Sequence, residues 1–496
     1  MKSNYKALPT KKENEAKRIL IIGMIILVLQ IVFHLSVGAK SSFDFQHNIS
    51  DSIKSELDKQ LNNTLILKRL NFPKTVKRFY TTNLSPIWLR PEDKIRPTIS
   101  AMLLLDCVRQ YGLQRKDYHP GILTYALMYN ALNTRAIPVA QKVEFELMLT
   151  DAMISMINHL HYGVQNPYLN AAAIDNGLSI DLKAEDFLSR AINSPNVMDS
   201  ILTVQPKIDQ YKKLQEYMKL IAGQYTCDSY ETPEEEIRTI AINMERLRWR
   251  EIKNDTYLHI NIPSFKLTFF TQNVNHEFKI VVGKASTPTP TLTSEVTYLE
   301  TAPDWLVPQK IFVKELLPKA IKDHDFFKNS HMAVYDKQEN IVSITTKSLA
   351  QIRNDPSQFH VKQSPGCDNA LGRVVFRFNN KYDIYLHDTP EQQYFERKKR
   401  AFSHGCIRVK HADVLASLLL ESDNQIAQVS TLKDAMINYN KQKFVLKTPL
   451  PILITYLTIT VENGLLVRHE DLYQLDRILK SRMYAQPDQL NKTTPK

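Results

Sequence analysis

Apolar residues change their spacing once along this 496-residue chain, close to residue 250. Before that point they recur at intervals of three, four and seven. In "QKVEFELMLTDAMISMINHLHYG" the residues Val143, Leu147, Ile154 and Ile157 fall on one helical face, and Gly163 supplies a stop. "TISAMLLLDCVRQYGL" has the same character and ends near Gly112, with Cys107 read as a small buried hydrophobe. From about Tyr257 the pattern alternates instead. "YLHINIPSFKLTFF", "HEFKIVVGKAS" and "RVVFRFNNKYDIYLHD" read as strands, separated by turn chemistry such as "STPTPTLTSEV". In "PILITYLTITVENGLLVRHEDLY" the Asn463-Gly464 pair predicts a two-residue hairpin turn, which needs residues tolerant of positive φ. The pattern therefore predicts an α+β chain, with a mainly helical domain over 41–245 and a mostly β domain over 246–475. A Lys-rich, partly helical stretch over about 311–362 reads as an insertion in the β part, and 476–496 as a polar tail.

One apolar run fits neither pattern. "ILIIGMIILVLQIVFHLSVGA", residues 19–39, follows Lys2, Lys6, Lys11, Lys12, Lys17 and Arg18. A bilayer needs about 20 such residues, so the run is long enough to be a transmembrane anchor. Val37-Gly38-Ala39 also has the small-residue character of a signal-peptidase site, so a cleaved signal is the alternative. Either way the basic tail 1–18 stays in the cytoplasm and the remainder is exported.

Composition narrows the classes further. A hydrophobic content of 43% excludes a disordered chain. The net charge of +12 is spread along the sequence, without a nucleic-acid-binding signature, so no nucleic-acid partner is expected. The four cysteines, Cys107, Cys227, Cys367 and Cys406, are too few and too scattered for a disulfide framework. Glycine is scarce as well, at 12 residues, which makes the adjacent Gly405 and Cys406 conspicuous.

A cysteine nucleophile needs a base or charge to form the thiolate, backbone donors for an oxyanion, and grips on the substrate. Each type occurs near Cys406. The run Arg397, Lys398, Lys399, Arg400, Arg408 and Lys410 would lower a thiol pKa if it folded close by. Gly405 lets a substrate approach the backbone, and His387 ends a predicted strand within reach. Taken singly, each of these residues has a plain structural reading as a turn, a solvated charge or a strand end. Together they point to a nucleophilic site.

"YLHDTP" followed by "SHGCIRV" resembles the signature of the L,D-transpeptidases, whose catalytic domain is of the YkuD type. "NMERLRW", "NIPSFKL", "VVGKASTPTP", "PDWLVPQKIFVKELLPKA" and "SPGCDNALGRVVFRFNN" are similar to the larger, periplasmic YcbB-like branch. "FYTTNLSPIWL" and "LMLTDAMISMINHLHYG" are similar to its helical scaffold domain. The resemblance implies a periplasmic enzyme that attacks the bond between meso-diaminopimelate and D-alanine in peptidoglycan stem peptides. A thioester forms, and a second stem resolves it to a 3→3 cross-link. It implies Cys406 as nucleophile and His387 as general base, oriented by the backbone carbonyl of Asp388. The Gly405 and Cys406 amides with the Tyr385 hydroxyl would form the oxyanion hole. Arg408 would grip a substrate carboxylate, Ser403 and His404 would shape the loop, Trp305 would line the cleft, and 311–362 would cap it. Stem peptides are then the partners, the inner membrane holds the N-terminal segment, and carbapenem-type inhibitors are expected.

Two departures stand out. Only Met218 to Glu236 occupy the place where that branch carries a peptidoglycan-binding module, so the module is expected to be absent. Cys367 stands where the resemblance leads one to expect another residue. Other readings stay open. An L,D-carboxypeptidase or a hydrolase of protein–peptidoglycan links would use the same residues with water as acceptor. A zinc site of His387, His404, Cys406 and His411 has spacings unlike structural zinc sites, so neither metal nor cofactor is expected. A wall-binding protein without catalysis is the third class.

Overall fold

The computed structural model describes residues 51–484, apart from 83, 91–94, 134–135, 179–180, 224–233 and 251. The expected anchor or signal 19–39, the basic tail, Cys227 and most of the 218–236 segment lie outside the described residues. Among the described residues no helix is long and apolar enough to cross a membrane. Two compact units emerge. One takes Arg115–Ile157, Ala171–Thr203 and the described residues before Cys107; the other takes Cys107–Gln114, Asn158–Asn170 and everything from Val204 onward.

The first unit is helical and is organised by carboxylates on the long helix Val139–Tyr162. Val143, Leu147, Ile154 and Ile157 are fully buried, and so are the polar Glu146 and Asp151. Buried carboxylates require donors. Glu146 takes them from the amides of Ile87, Trp88 and Leu89 and from the Tyr80 hydroxyl, at 2.6, 3.0, 3.0 and 2.7 Å. Asp151 accepts the Phe72 amide at 2.8 Å and faces His119 at 2.6 Å. This helix therefore anchors loops as well as packing apolar neighbours. Gly163 follows it at φ 84°, with its amide on the His159 carbonyl. Cys107, which belongs to the other unit, precedes a 3₁₀ turn at Val108–Tyr111 and is half-buried, less enclosed than its apolar context predicts.

The second unit is mostly β. Its strands are β1 (Tyr257–Asn261), β2 (Lys266–Phe270), β3 (His276–Gly283), β4 (Leu292–Thr301), β5 (Trp305–Leu306), β6 (Met332–Asp336) and β7 (Phe359–Gln363). They continue with β8 (Val374–Phe378), β9 (Leu386–His387), β10 (Ala401–Ser403), β11 (Ile407–Val409), β12 (Gln442–Thr455), β13 (Ile459–Glu462) and β14 (Leu465–Arg468). Nine of them pair in the order β10-β3-β11-β9-β8-β4-β12-β1-β2, and a β2–β3 pairing closes the row on itself. The enclosed core includes Leu258, Ile280, Phe376, Leu386, Ile407 and Ile452, with Leu415 and Leu419 from the helix Ala412–Ser422. The Asn463-Gly464 turn joins β13 to β14 with both residues at positive φ, but "PILIT" belongs to the 14-residue β12. The insertion has a core of its own around Phe312, Leu317, Phe327, Ile352 and Val361. Its three-stranded sheet, β5-β7-β6, starts at Trp305 and ends at Gln363, slightly outside the 311–362 expected.

Candidate active site

Strand register brings the reactive side chains together. β9 and β11 run parallel, with Leu386 opposite Ile407 and His387 opposite Arg408. The Ile407 amide donates to the Tyr385 carbonyl at 3.1 Å. Side chains alternate across a strand, so Leu386 and Ile407 fill the core, while Tyr385 and His387 share the other face with Cys406 and Arg408. β8 adds to that face, because Val375 lies opposite His387 and Phe376 opposite Leu386. Arg377 is thereby placed beside Tyr385, with its guanidinium carbon 4.4 Å from the ring centroid. The Tyr385 and His387 rings meet edge to face at 5.8 Å.

His387 is buried, and its Nδ1 lies 2.5 Å from the Asp388 carbonyl oxygen. A carbonyl only accepts, so Nδ1 carries the proton and Nε2 keeps its lone pair. Burial first, then the charges of Arg408 and Arg377, lower its pKa to about 3. The imidazole is neutral at ordinary pH. Asp388 is itself pinned: its Oδ2 accepts the Arg373 amide at 2.9 Å. Gly372, at φ 63°, lies so close that a Cβ there would meet Asp388 Oδ2 at 2.5 Å.

Burial also pushes the Cys406 thiol up, although the Tyr385 amide and hydroxyl, Arg377 and Arg408 each pull it back. This corrects the expectation that the basic run would depress it. The run is engaged elsewhere. Lys399 pairs with Glu470 at 2.5 Å and Lys410 with Glu396 at 2.7 Å, and Arg400 donates to the carbonyls of Ile280 and Phe265. Only Arg408, joined by Arg377 from β8, acts on the sulfur. The resting pair is a neutral thiol and a neutral imidazole. Burial and the Cys406 sulfur raise the Tyr385 hydroxyl well above the ordinary phenol range, so it is a donor at all working pH.

The loop that carries Cys406 is braced from below. Gly405 adopts φ 119°, a conformation that side chains resist. Ser403 Oγ donates to the Cys406 carbonyl and accepts the Gly405 amide at 3.1 Å. The Gly405 amide, expected at an oxyanion hole, is thus turned to Ser403 instead. Thr289 Oγ1 donates to the Gly405 carbonyl at 2.8 Å and accepts the Gly283 amide at 2.9 Å. Tyr473 closes the brace, its hydroxyl 2.6 Å from the Gly283 carbonyl.

The remaining expected residues fall around this centre. His404 Nε2 lies 2.6 Å from Glu315 and 3.3 Å from Lys284 Nζ, so it ties the nucleophile loop to the insertion. Glu315 belongs to a π-helical turn, Phe312–Leu316, a feature frequent at functional sites. Trp305 is a hydrogen-bonding neighbour of the Tyr385 hydroxyl. Arg408 pairs with Glu391 and lies 5.5 Å from the Tyr394 ring centroid, and its Nε has no hydrogen-bond partner among the described residues. Cys367 is exposed, in the loop after β7. Among the described residues no three His, Cys, Asp or Glu side chains are grouped to hold a metal ion. Sequence reasoning missed Arg377, Glu391, Glu315 and Tyr473. Alternation along "VVFRF" puts Arg377 on the outer face and could have found it; Glu315 and Tyr473 depend on the tertiary fold.

Residues 255–429 match the family model of the L,D-transpeptidase catalytic domain (YkuD), and residues 74–218 match that of a scaffold domain. Residues 255–429 are thus similar to the L,D-transpeptidase catalytic domain. It is 32% identical over 241 residues to a Haemophilus influenzae protein whose name assigns it provisionally to the L,D-transpeptidases. That match covers 48% of each chain, so this chain spans about half the length of the curated relative. Similar solved structures include an L,D-transpeptidase from Mycobacterium smegmatis, at 13% identity and TM-score 0.20, covering 40% of this chain and 58% of that one. Another is a cysteine-to-serine mutant of an Enterococcus faecium L,D-transpeptidase, at 11% identity and TM-score 0.20, covering 50% and 82%.

Proposed function

We propose that the protein forms 3→3 cross-links between peptidoglycan stem peptides through a Cys406 thioester. The observation that supports this most is the register of β9 against β11, which gives Cys406, Arg408, Tyr385 and His387 one shared face. With Nδ1 committed to Asp388, His387 Nε2 takes the thiol proton as the sulfur attacks the meso-diaminopimelate carbonyl carbon. The oxyanion is met by the Tyr385 hydroxyl and the Cys406 amide. As the C–N bond breaks, the imidazolium returns its proton to the departing D-alanine amine. An amine of a second stem then attacks the thioester, His387 accepts its proton, and the thiolate leaves and is reprotonated. Because burial, Arg408 and Arg377 all disfavour the imidazolium, it is a fleeting species that gives its proton away readily.

Arg408 binds a substrate carboxylate in this scheme, with Glu391 holding it in the resting state. The insertion, joined through Glu315 to His404, covers the bound stem. Residues 19–39 serve as an inner-membrane anchor or a cleaved signal that puts the catalytic unit in the periplasm. Carbapenem-type β-lactams acylate the same sulfur.

The test is Cys406→Ala with purified tetrapeptide-bearing muropeptides. Wild-type protein should yield 3→3 dimers and free D-alanine, and the variant neither, with an unchanged circular dichroism spectrum. Dimers from the Ala variant would overturn the mechanism. Trimmed tripeptides without dimers from wild-type protein would make water the acceptor.

A further inference from the structure

An arginine-lined cavity in the same unit shares no lining residue with the site around Cys406. It has a volume of about 60 Å³ and is walled by the end of the helix Glu234–Arg248, the residues just after it, and the end of β12. Arg246 and Arg250 both line it, and no acidic side chain does. Arg246 is 9% exposed. Its Nη1 is bound to Asp476 at 2.6 Å, while its Nη2 is buried without a hydrogen-bond partner among the described residues. Arg250 Nε is in the same condition, and its guanidinium is stacked 3.7 Å from the centroid of Tyr168. Buried donors of this kind need an acceptor, and a charged one costs most when left unmade. Asp476 balances one guanidinium, which leaves one positive charge over.

We infer that this cavity binds a single small carboxylate carrying a short apolar group, of the kind presented by the terminal D-alanine of a stem peptide. The size fits: a water needs about 10–15 Å³ by this measure, so the cavity admits about four or five non-hydrogen atoms. The charge fits a carboxylate better than a phosphate, which brings close to two negative charges at neutral pH. The walls fit as well, because Leu247 and Leu475 offer apolar contact to a methyl group beside the two guanidiniums. A planar carboxylate can accept from Arg246 and Arg250 together. The choice of a stem peptide as source rests on the function proposed above; the carboxylate chemistry does not.

The test is calorimetric titration with N-acetyl-D-alanine in the Cys406→Ala background, so that binding is read without turnover. A saturable component is expected that weakens at least tenfold in Arg250→Gln and persists in Arg408→Gln, where only a contribution from the Cys406 site is lost. Leu475→Trp, which fills the cavity from its rim and removes no charge, should block binding equally, and melting curves verify that each variant is folded. Binding lost in Arg408→Gln but kept in Arg250→Gln would overturn the inference. So would no binding at all, or inorganic phosphate binding as tightly as the acylated amino acid.

Discussion

Arg408 and Arg246 are built alike and differ in what they can release. Each pairs with one carboxylate, lies over one tyrosine ring (5.5 Å from Tyr394, 5.2 Å from Tyr456), and keeps one buried nitrogen without a hydrogen-bond partner among the described residues. Their carboxylates are not alike. Glu391 is 42% exposed, whereas Asp476 is 12% exposed and also accepts the Thr458 hydroxyl at 2.7 Å. An exposed partner can be exchanged for water or substrate at little cost, and an enclosed one cannot. One arginine is therefore poised for exchange, and the other is fixed in place.

The largest test of that contrast is stability. Arg246→Gln strands Asp476 without its cation and should destabilise the protein by about 3–5 kcal/mol. Arg408→Gln should cost less than about 1 kcal/mol, because Glu391 returns to solvent. Urea melts of the two variants measure the difference, and equal losses would break the comparison.

Acid gives the next test, because three histidines are buried in the neutral form. His387 near Arg408 and His159 near Arg248 are both lowered to about 3, first by burial and then by those arginines, and burial lowers His259 to about 4. The unfolded chain protonates these imidazoles near 6.5, so their stabilising contribution is complete above that pH and is lost as pH falls toward the folded values. Between pH 6.5 and 4.5 each should cost about 2 kcal/mol. A melting temperature unchanged over that window would show that these histidines are solvated.

Catalysis gives the next effect. Arg408→Lys keeps the charge but loses the fork, and one charge-assisted hydrogen bond is worth about 1.5–3 kcal/mol. The specificity constant kcat/KM should fall roughly tenfold to a hundredfold with little change in Tm. Equal activity in the lysine variant would remove Arg408 from the site. The smallest effect belongs to Glu391→Gln. Freeing Arg408 from its resting partner should lower KM by a few-fold, under about 1 kcal/mol, and leave kcat nearly unchanged.

Much of this fold is written locally. Period and stop residues place the helix ending before Gly163, and positive-φ chemistry places the Asn463-Gly464 turn. The reactive residues themselves are legible because two short strands carry them. Sequence reasoning fails where partners are distant. Charges at Arg397, Lys398, Lys399 and Arg400 look local to Cys406, yet Arg400 reaches Phe265 and Lys399 reaches Glu470. The sign of the thiol shift follows from that dispersal and from burial, neither of which the chain order reveals. The middle of β12 is similarly obscure, since Thr448 is exposed on the face where Phe444, Leu446, Leu450 and Ile452 are buried, and its pairing with β4 shifts between Val445 and Leu450. Glu391 and Glu315 read as ordinary surface acids until the fold gives each a cation or a histidine.

The pairing of β9 with β11 makes the site all or nothing. A strand has only two faces, so a slip of one residue in β11 would turn Ile407 outward and bury both Cys406 and Arg408 in the core. No intermediate register leaves a weakened nucleophile on the working face. If the proposed function holds, a site built this way is silent when misassembled. Its quality control is geometric, exercised when β11 enters the sheet and before any substrate arrives.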